Sequence, residues 1–179
     1  AKRNPDKLLS RENNHPKLIP NGPRNPCPLY RGSSNYHQFY IWDPIASEQN
    51  APEDWSDIDV EARAKVTDHV FVLCPARNTT VPFTLEIHDG DPGFQMAEWD
   101  HIVEASIRIP SGRVEVHECT GGSHANLSVE FGTYRIRAHY KSLDSIAEDQ
   151  LDGKDSYMVS LWLGDETPFR VVKSHPKTA

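Results

Sequence analysis

The chain has 179 residues, 37% of them hydrophobic and 25% charged, which suits one globular domain with or without a tail and excludes a wholly disordered chain. No apolar run nears the roughly 18 residues of a membrane-spanning helix, and the N-terminal residues lead into no apolar signal core, so neither a membrane partner nor an uncleaved signal peptide is expected. Cys27, Cys74 and Cys119 include no Cys-x-x-Cys pair, which argues against a disulfide framework and structural zinc and favours a cytoplasmic location.

The net charge of −7 is unevenly spread. Residues 1–29 carry six basic residues against Asp6 and Glu12, a net +4, and residues 30–179 carry −11. The first segment holds six of the 14 prolines and none of the 16 aromatic residues, so it has little to bury and many fixed φ angles. Residues 1–29 are therefore expected to be a basic, Pro-rich N-terminal arm, and 30–179 the domain. The arm either docks loosely as a leader or lies across the acidic body of its own or a neighbouring chain, the latter giving a homo-oligomer. Leu8, Leu9, Leu18 and Ile19 are aliphatic anchors that an apolar groove would accept. Direct nucleic-acid binding is not expected, because the folded part would repel phosphates.

Along the body, short strands follow one another. Residues 36–42 read as an aromatic-rich strand. Residues 52–66 have Ile58, Ala62 and Val66 at helical spacing, but Val60 and Ala64 fit a strand equally well, so a short helix and an irregular crossover both stay open. The run Val70-Phe71-Val72-Leu73-Cys74 is apolar on both parities, as a strand buried on both faces should be. Period-two alternation marks residues 82–88, 103–109, 112–117 and 134–140. Ile109-Pro110-Ser111-Gly112-Arg113 reads as a hairpin, residues 157–163 as a second aromatic-rich strand, and 169–173 as a closing strand. Turn signals such as Asp89-Gly90-Asp91-Pro92-Gly93, Gly121-Gly122 and Phe131-Gly132-Thr133 separate them. The fold expected is mainly β, an antiparallel β-sandwich of about eight or nine strands, with helix below about a fifth of residues.

The chemical inventory points away from catalysis. No phosphate-binding glycine loop, nucleophile elbow or His-Glu-x-x-His occurs, so no catalytic residue and no cofactor are expected. Glu86-x-His88-Asp89-x-Asp91 and Asp100-His101-x-x-Glu104 are the densest metal candidates, and neither matches a recognised ligand spacing. His101 is expected to be a hydrogen-bonded histidine at a core edge, with Asp100 serving a neighbouring loop. Cys74 reads as an inert buried thiol. Arg135, Arg137 and His139 share one strand face and are expected to pair with carboxylates such as Glu86 or Glu104.

Two acidic clusters stand out. Glu53, Asp54, Asp57, Asp59 and Glu61 surround Trp55, and Glu148, Asp149, Asp152 and Asp155 precede Tyr157. Each reads either as a solvated loop or as a steering surface for a cationic protein, with Trp55 or Tyr157 as the aromatic anchor. A protein that competes for the positive cleft of a nucleic-acid enzyme would be built this way. The second class of function is a small-molecule-binding or enzymatic sandwich, with Tyr36, His37, Asp100, His101 and Arg135 lining a pocket.

Asn35-Tyr36-His37-Gln38-Phe39, Asp54-Trp55-Ser56-Asp57, Arg77-Asn78-Thr79, Phe131-Gly132-Thr133-Tyr134-Arg135-Ile136 and Asp155-Ser156-Tyr157 follow one another along the chain. In content and order these stretches resemble the competence protein J (ComJ) family of bacterial nuclease inhibitors. Leu151-Asp152-Gly153 and the strand from Tyr157 to Trp162 also resemble uncharacterised bacterial proteins. The arm and the long loop of the 140s depart from the family's pattern. The resemblance implies an inhibitor or immunity-type partner of a nuclease that occludes the enzyme's cationic cleft. Asp54, Trp55, Asp57, Asp59, Asp149, Asp152, Asp155 and Tyr157 are the partner-binding residues this reading selects.

Overall fold

The computed structural model describes residues 25–26, 30–33 and 37–175, with backbone alone for 25–26 and 30–33. Residues 1–24 of the expected arm, Cys27 and Tyr36 lie outside the described residues.

Alternation in sequence becomes two stacked sheets. The larger sheet has seven strands: β1 (Asn25–Pro26) and β2 (Tyr30–Ser33) along one edge of β6 (Thr80–His88), then β11 (Ser156–Leu163), β10 (Gly132–Lys141), β7 (His101–Ile109) and β12 (Arg170–Lys173). The smaller has five: β4 (Ala64–Val66), β5 (Val70–Leu73), β3 (Phe39–Trp42), β8 (Arg113–Glu118) and β9 (Gly122–Ser128), in that order. Among the described residues, sheet pairing includes Asn25, inside the segment assigned to the arm, which lies opposite Ile87.

Two local expectations are corrected. The pair β6–β11 is parallel, so the larger sheet is mixed rather than purely antiparallel; alternation reveals which face a residue takes but not strand direction. Residues 109–113 do not form a hairpin, because β7 pairs with β10 and β12 whereas β8 pairs with β3 and β9. The turn instead carries the chain from one sheet to the other. Gly112 holds a left-handed φ of +68° there, and buried Asp43 accepts the Ser111 N–H at 2.8 Å.

Even-numbered residues of β10 (Tyr134, Ile136, Ala138, Tyr140) face the core, as do Val103, Ala105, Ile107 and Ile109 of β7. Phe39 of the smaller sheet stacks on Phe83 of the larger at 5.5 Å between ring centroids, so aromatic contact spans the sandwich. All four residues of β5 are buried. Phe71 and Leu73 enter the central core, while Val70 and Val72 join Tyr40 and Trp42 on the outer face beneath Trp55, Cys74 and Cys119.

Residues 52–66 resolve into a helix followed by a strand. Helix α1 (Asp57–Ala62) starts at Ser56, whose side chain and that of Asp59 cap each other's backbone N–H. It stops at Arg63, whose φ of 53° is left-handed. Ala62 and Ala64 are fully buried, and β4 then joins the smaller sheet.

Candidate functional site

The acidic clusters do different things within the fold. Glu53, Asp54, Asp57 and Glu61 are exposed around α1. Asp59 is not available in the same way: it caps the helix and its carboxylate accepts Lys65 Nζ at 2.9 Å. Burial pushes the Asp59 carboxyl up, but bonds from Ser56 and Lys65 outweigh it and hold the group below its ordinary value. Trp55 is half-buried over the outer-face cluster of Tyr40, Trp42 and Val72. Its Nε1–H donates to the Pro52 carbonyl at 3.2 Å, and Lys65 Nζ stands 5.7 Å from the ring centroid. Packing thus occupies Trp55, whereas Ile58 and Val60 stand out among these carboxylates with 69% and 48% exposure. Sequence reasoning missed these two: Val60 lies across the helix from Ala62, a usable sign, whereas Ile58 shares the face of Ala62 by spacing and stands exposed in the first turn all the same.

Asp149 and Asp152 are exposed on the turn that follows β10, together with Glu148 and Leu151. Asp155 and Tyr157, expected at the partner surface, are buried. Asp155 accepts Arg77 Nε–H and the Tyr157 hydroxyl, both at 2.5 Å, and Tyr157 Oη accepts the Ala76 N–H at 2.9 Å. Burial and then the bond to Asp155 raise the Tyr157 hydroxyl well above its ordinary value. This network fastens the second acidic loop to the turn after β5; it presents nothing to a partner.

The two exposed clusters share one end of the sandwich. Tyr140, at the C-terminal end of β10, donates its hydroxyl to the Arg63 carbonyl that stops α1, at 2.6 Å. Its ring meets that of Tyr157 edge to face at 5.5 Å, at the start of β11. The aromatic pair ties the loop bearing Asp54 and Asp57 to the loop bearing Asp149 and Asp152.

The alternative pocket does not assemble. His101 pairs with Tyr140 and Arg135 with Ser106, so the two are five positions apart along the sheet, roughly 17 Å. They also face opposite ways, since His101 shares the parity of the core residues of β7 and Arg135 lies opposite Ser106 on the outer face. His101 is fully buried, its Nε2 2.8 Å from the Ala62 carbonyl and its Nδ1 accepting the His175 N–H at 3.2 Å. Burial lowers its pKa, favouring the neutral ring. Asp100 accepts the Leu143 N–H at 2.8 Å, and the His37 ring meets the Pro75 carbonyl at 3.1 Å. His37, Asp100 and His101 thus each serve a backbone partner, and Arg135 turns to Glu104. The metal candidates scatter likewise. Glu86 and His88 meet at 3.1 Å, but Asp91 turns to Arg137, and His101 and Glu104 occupy opposite faces. Cys74 carries a thiol pushed up to about 12 by burial.

On the outer face of the larger sheet, Glu104 gathers Arg137 Nε at 2.6 Å, Arg170 Nη2 at 2.5 Å and Arg135 Nη2 at 3.5 Å. Arg137 also forms a two-pronged pair with Asp91 at 2.9 and 3.0 Å, with its guanidinium carbon 4.4 Å from the Phe94 ring centroid and 4.8 Å from that of Trp162. The expected pairing with Glu104 is thus present, whereas Glu86 meets His88. The loop 89–100 lies over this network. Phe94 and Trp99 pack on His139, a fully buried ring whose pKa falls to about 4 through burial and then the Arg137 charge.

No protein-family model matches the chain, and no curated protein matches it. A solved structure with the same architecture is ComJ of Bacillus subtilis, described as an inhibitor of the DNA-degrading activity of NucA: TM-score 0.60, 13% identity, covering 78% of this chain and 98% of ComJ. The product of crocagin biosynthetic gene J aligns at TM-score 0.48 with 18% identity over 76% of this chain and 95% of its own. The likeness to ComJ shows that this chain has the ComJ fold, in accord with the resemblance read from the sequence.

Proposed function

We propose that this chain is a nuclease-inhibiting protein whose acidic end engages a cationic nuclease. The carrying observation is the ComJ-like fold, which spans 98% of an inhibitor of nuclease activity and presents exposed carboxylates of two loops at one end. Asp54, Asp57, Asp149 and Asp152 steer a positive partner over long range and raise the rate of encounter. Ile58 and Val60 supply the apolar contact that holds the complex once formed, a role the sequence had suggested for Trp55 and Tyr157. Occlusion follows if the partner's phosphate-binding cations are the groups that meet these carboxylates.

The test is titration of the DNA-degrading activity of a nuclease encoded beside this protein's gene. Stoichiometric loss of activity, relieved by Ile58→Asp without a change in melting temperature, is the expected result. Inhibition by the Ile58→Asp variant equal to that of the unaltered chain would contradict the site. A nuclease insensitive to a saturating excess of the unaltered chain would contradict the function.

A further inference from the structure

Next to the Glu104–Arg137 network, the outer face of the larger sheet carries a groove of about 420 Å³, a volume suited to a small molecule or a single side chain. Met158 and Ser160 of β11 and Glu86 of β6 form its floor, and Phe94, Glu98 and Trp99 of the loop 89–100 form its wall. The wall is held in place. Phe94 packs on Arg137 and His139, and Trp99 on His139 and Lys141, at 4.4 to 5.8 Å from the ring centroids. Lys173 Nζ donates to the Met96 and Trp99 carbonyls at 3.1 and 2.5 Å. No Lys, Arg or His lines the groove itself.

Its polar groups are left largely unused. Glu86 meets His88 through Oε2, and Oε1 has no partner among the described residues. Glu98 is exposed and forms no ion pair among the described residues. Ser160 lies opposite Glu86 in the β6–β11 register and is only 1% exposed, yet it lines the groove, and its hydroxyl makes no hydrogen bond among the described residues. A buried hydroxyl without a partner is costly and calls for one from outside the chain.

We propose that this groove binds a primary ammonium on an alkyl stem, as a free amine or the lysine side chain of another polypeptide presents it. The stem lies along Met158 and the aromatic wall, and the ammonium donates to Glu86 Oε1, to the Glu98 carboxylate and to Ser160 Oγ, which matches its three N–H donors. An anion finds no partner here, because Arg137 is committed to Glu104 and Asp91 and Lys173 to two carbonyls. A metal ion is not the occupant either, since among the described residues no three ligating side chains gather. The proposal is independent of the function assigned to the acidic end.

Titration of the full chain with n-pentylammonium chloride, followed by the NMR signals of the Trp99 indole N–H and the Met158 methyl group, tests it against sodium chloride at equal ionic strength. Both signals should shift to saturation with the amine and not with the salt, with 1-pentanol or with pentanoate. Glu98→Gln, at an exposed site, should weaken binding about tenfold without changing the melting temperature, and Glu86→Gln should weaken it to a similar extent. N-acetyl-lysine N-methylamide separates the two sources: tighter binding than pentylammonium assigns the groove to a lysine of a polypeptide, weaker binding to a free amine. Shifts that rise linearly without saturating would overturn the proposal. So would equal binding of 1-pentanol, which would make the groove merely apolar, or an affinity for the amine unchanged in Glu98→Gln and Glu86→Gln.

Discussion

The acidic end and the outer face of the larger sheet are both rich in charge, and they use it in opposite ways. On the outer face, Glu104 and Asp91 are matched by Arg137, Arg170 and Arg135. Glu104 and Arg137 are each 2% exposed, and an aromatic-bearing loop covers them. At the acidic end, Asp54, Asp57, Asp149 and Asp152 face solvent, with Ile58 and Val60 exposed beside the first pair. Count of charge does not distinguish the two regions. Pairing and cover do: a buried matched network holds the fold, whereas exposed like charge around apolar side chains is suited to another molecule.

The largest effect should come from the covered network. Arg137→Ala leaves Asp91 without this cation, takes from buried Glu104 one of its three arginine partners, and removes the cation between Phe94 and Trp162. A loss of about 3 kcal/mol is expected from the lost charged hydrogen bonds and packing, visible as a fall in the urea midpoint. A fall no larger than that of a solvent-exposed substitution would mean that the network is not structural.

Acid should open the same region. His139 has its folded pKa lowered to about 4, below the ordinary histidine value of 6.5. The unfolded chain therefore takes up its proton first as pH falls. Stability declines from about pH 6.5 to pH 4, by roughly 3 kcal/mol in all, and this contribution is flat below. His101 is lowered too and adds in the same direction. Burial works against the charged form of Glu104, but Arg170 and Arg137 hold it below its ordinary value of 4.5, so its contribution is lost as pH falls from about 4.5 through the lowered folded value. Urea midpoints measured against pH should show this decline, and His139→Phe should flatten it. An unchanged slope in that variant would assign the acid sensitivity elsewhere.

Trp55→Ala sits between the regions. It should cost about 2 kcal/mol in stability, because the ring covers Tyr40 and Trp42 on the outer face of the smaller sheet. A variant with full thermal stability and lost binding would restore Trp55 as a partner anchor. Smallest in stability are Asp54→Asn and Asp57→Asn, expected within about 0.5 kcal/mol of the unaltered chain by thermal melting.

Much of this architecture was legible in the residues. Alternation placed β6, β7, β8 and β10 and their buried faces, because one side of each strand packs on the core. The two-faced apolar run identified β5. What alternation cannot carry is partner choice between distant strands, and the parallel β6–β11 pair and the sheet-to-sheet turn at 109–113 were lost for that reason. At the acidic end, composition singled out Asp54 and Asp57, and both are exposed. Asp155 and Tyr157 looked the same in sequence, and only the position of Arg77, 78 residues away, turns them inward. Glu104 was foreseen as a partner of the arginine stripe, but Asp91 and Phe94 come from a loop whose path over the sheet leaves no periodic trace.

The central claim is that the exposed acidic end, and not charge at large, meets the partner. Association rates with the cognate nuclease, measured against ionic strength, test it most directly. The pair Asp54→Asn, Asp57→Asn is compared with Asp165→Asn, Glu166→Gln, an exposed acidic pair just past β11 at the opposite end. The acidic-end pair should slow association several-fold at low salt and flatten its salt dependence, while the distant pair should match the unaltered chain at 0.1 M salt, where the screening length is about 10 Å. Equal effects of the two pairs, or no effect of either, would contradict the account.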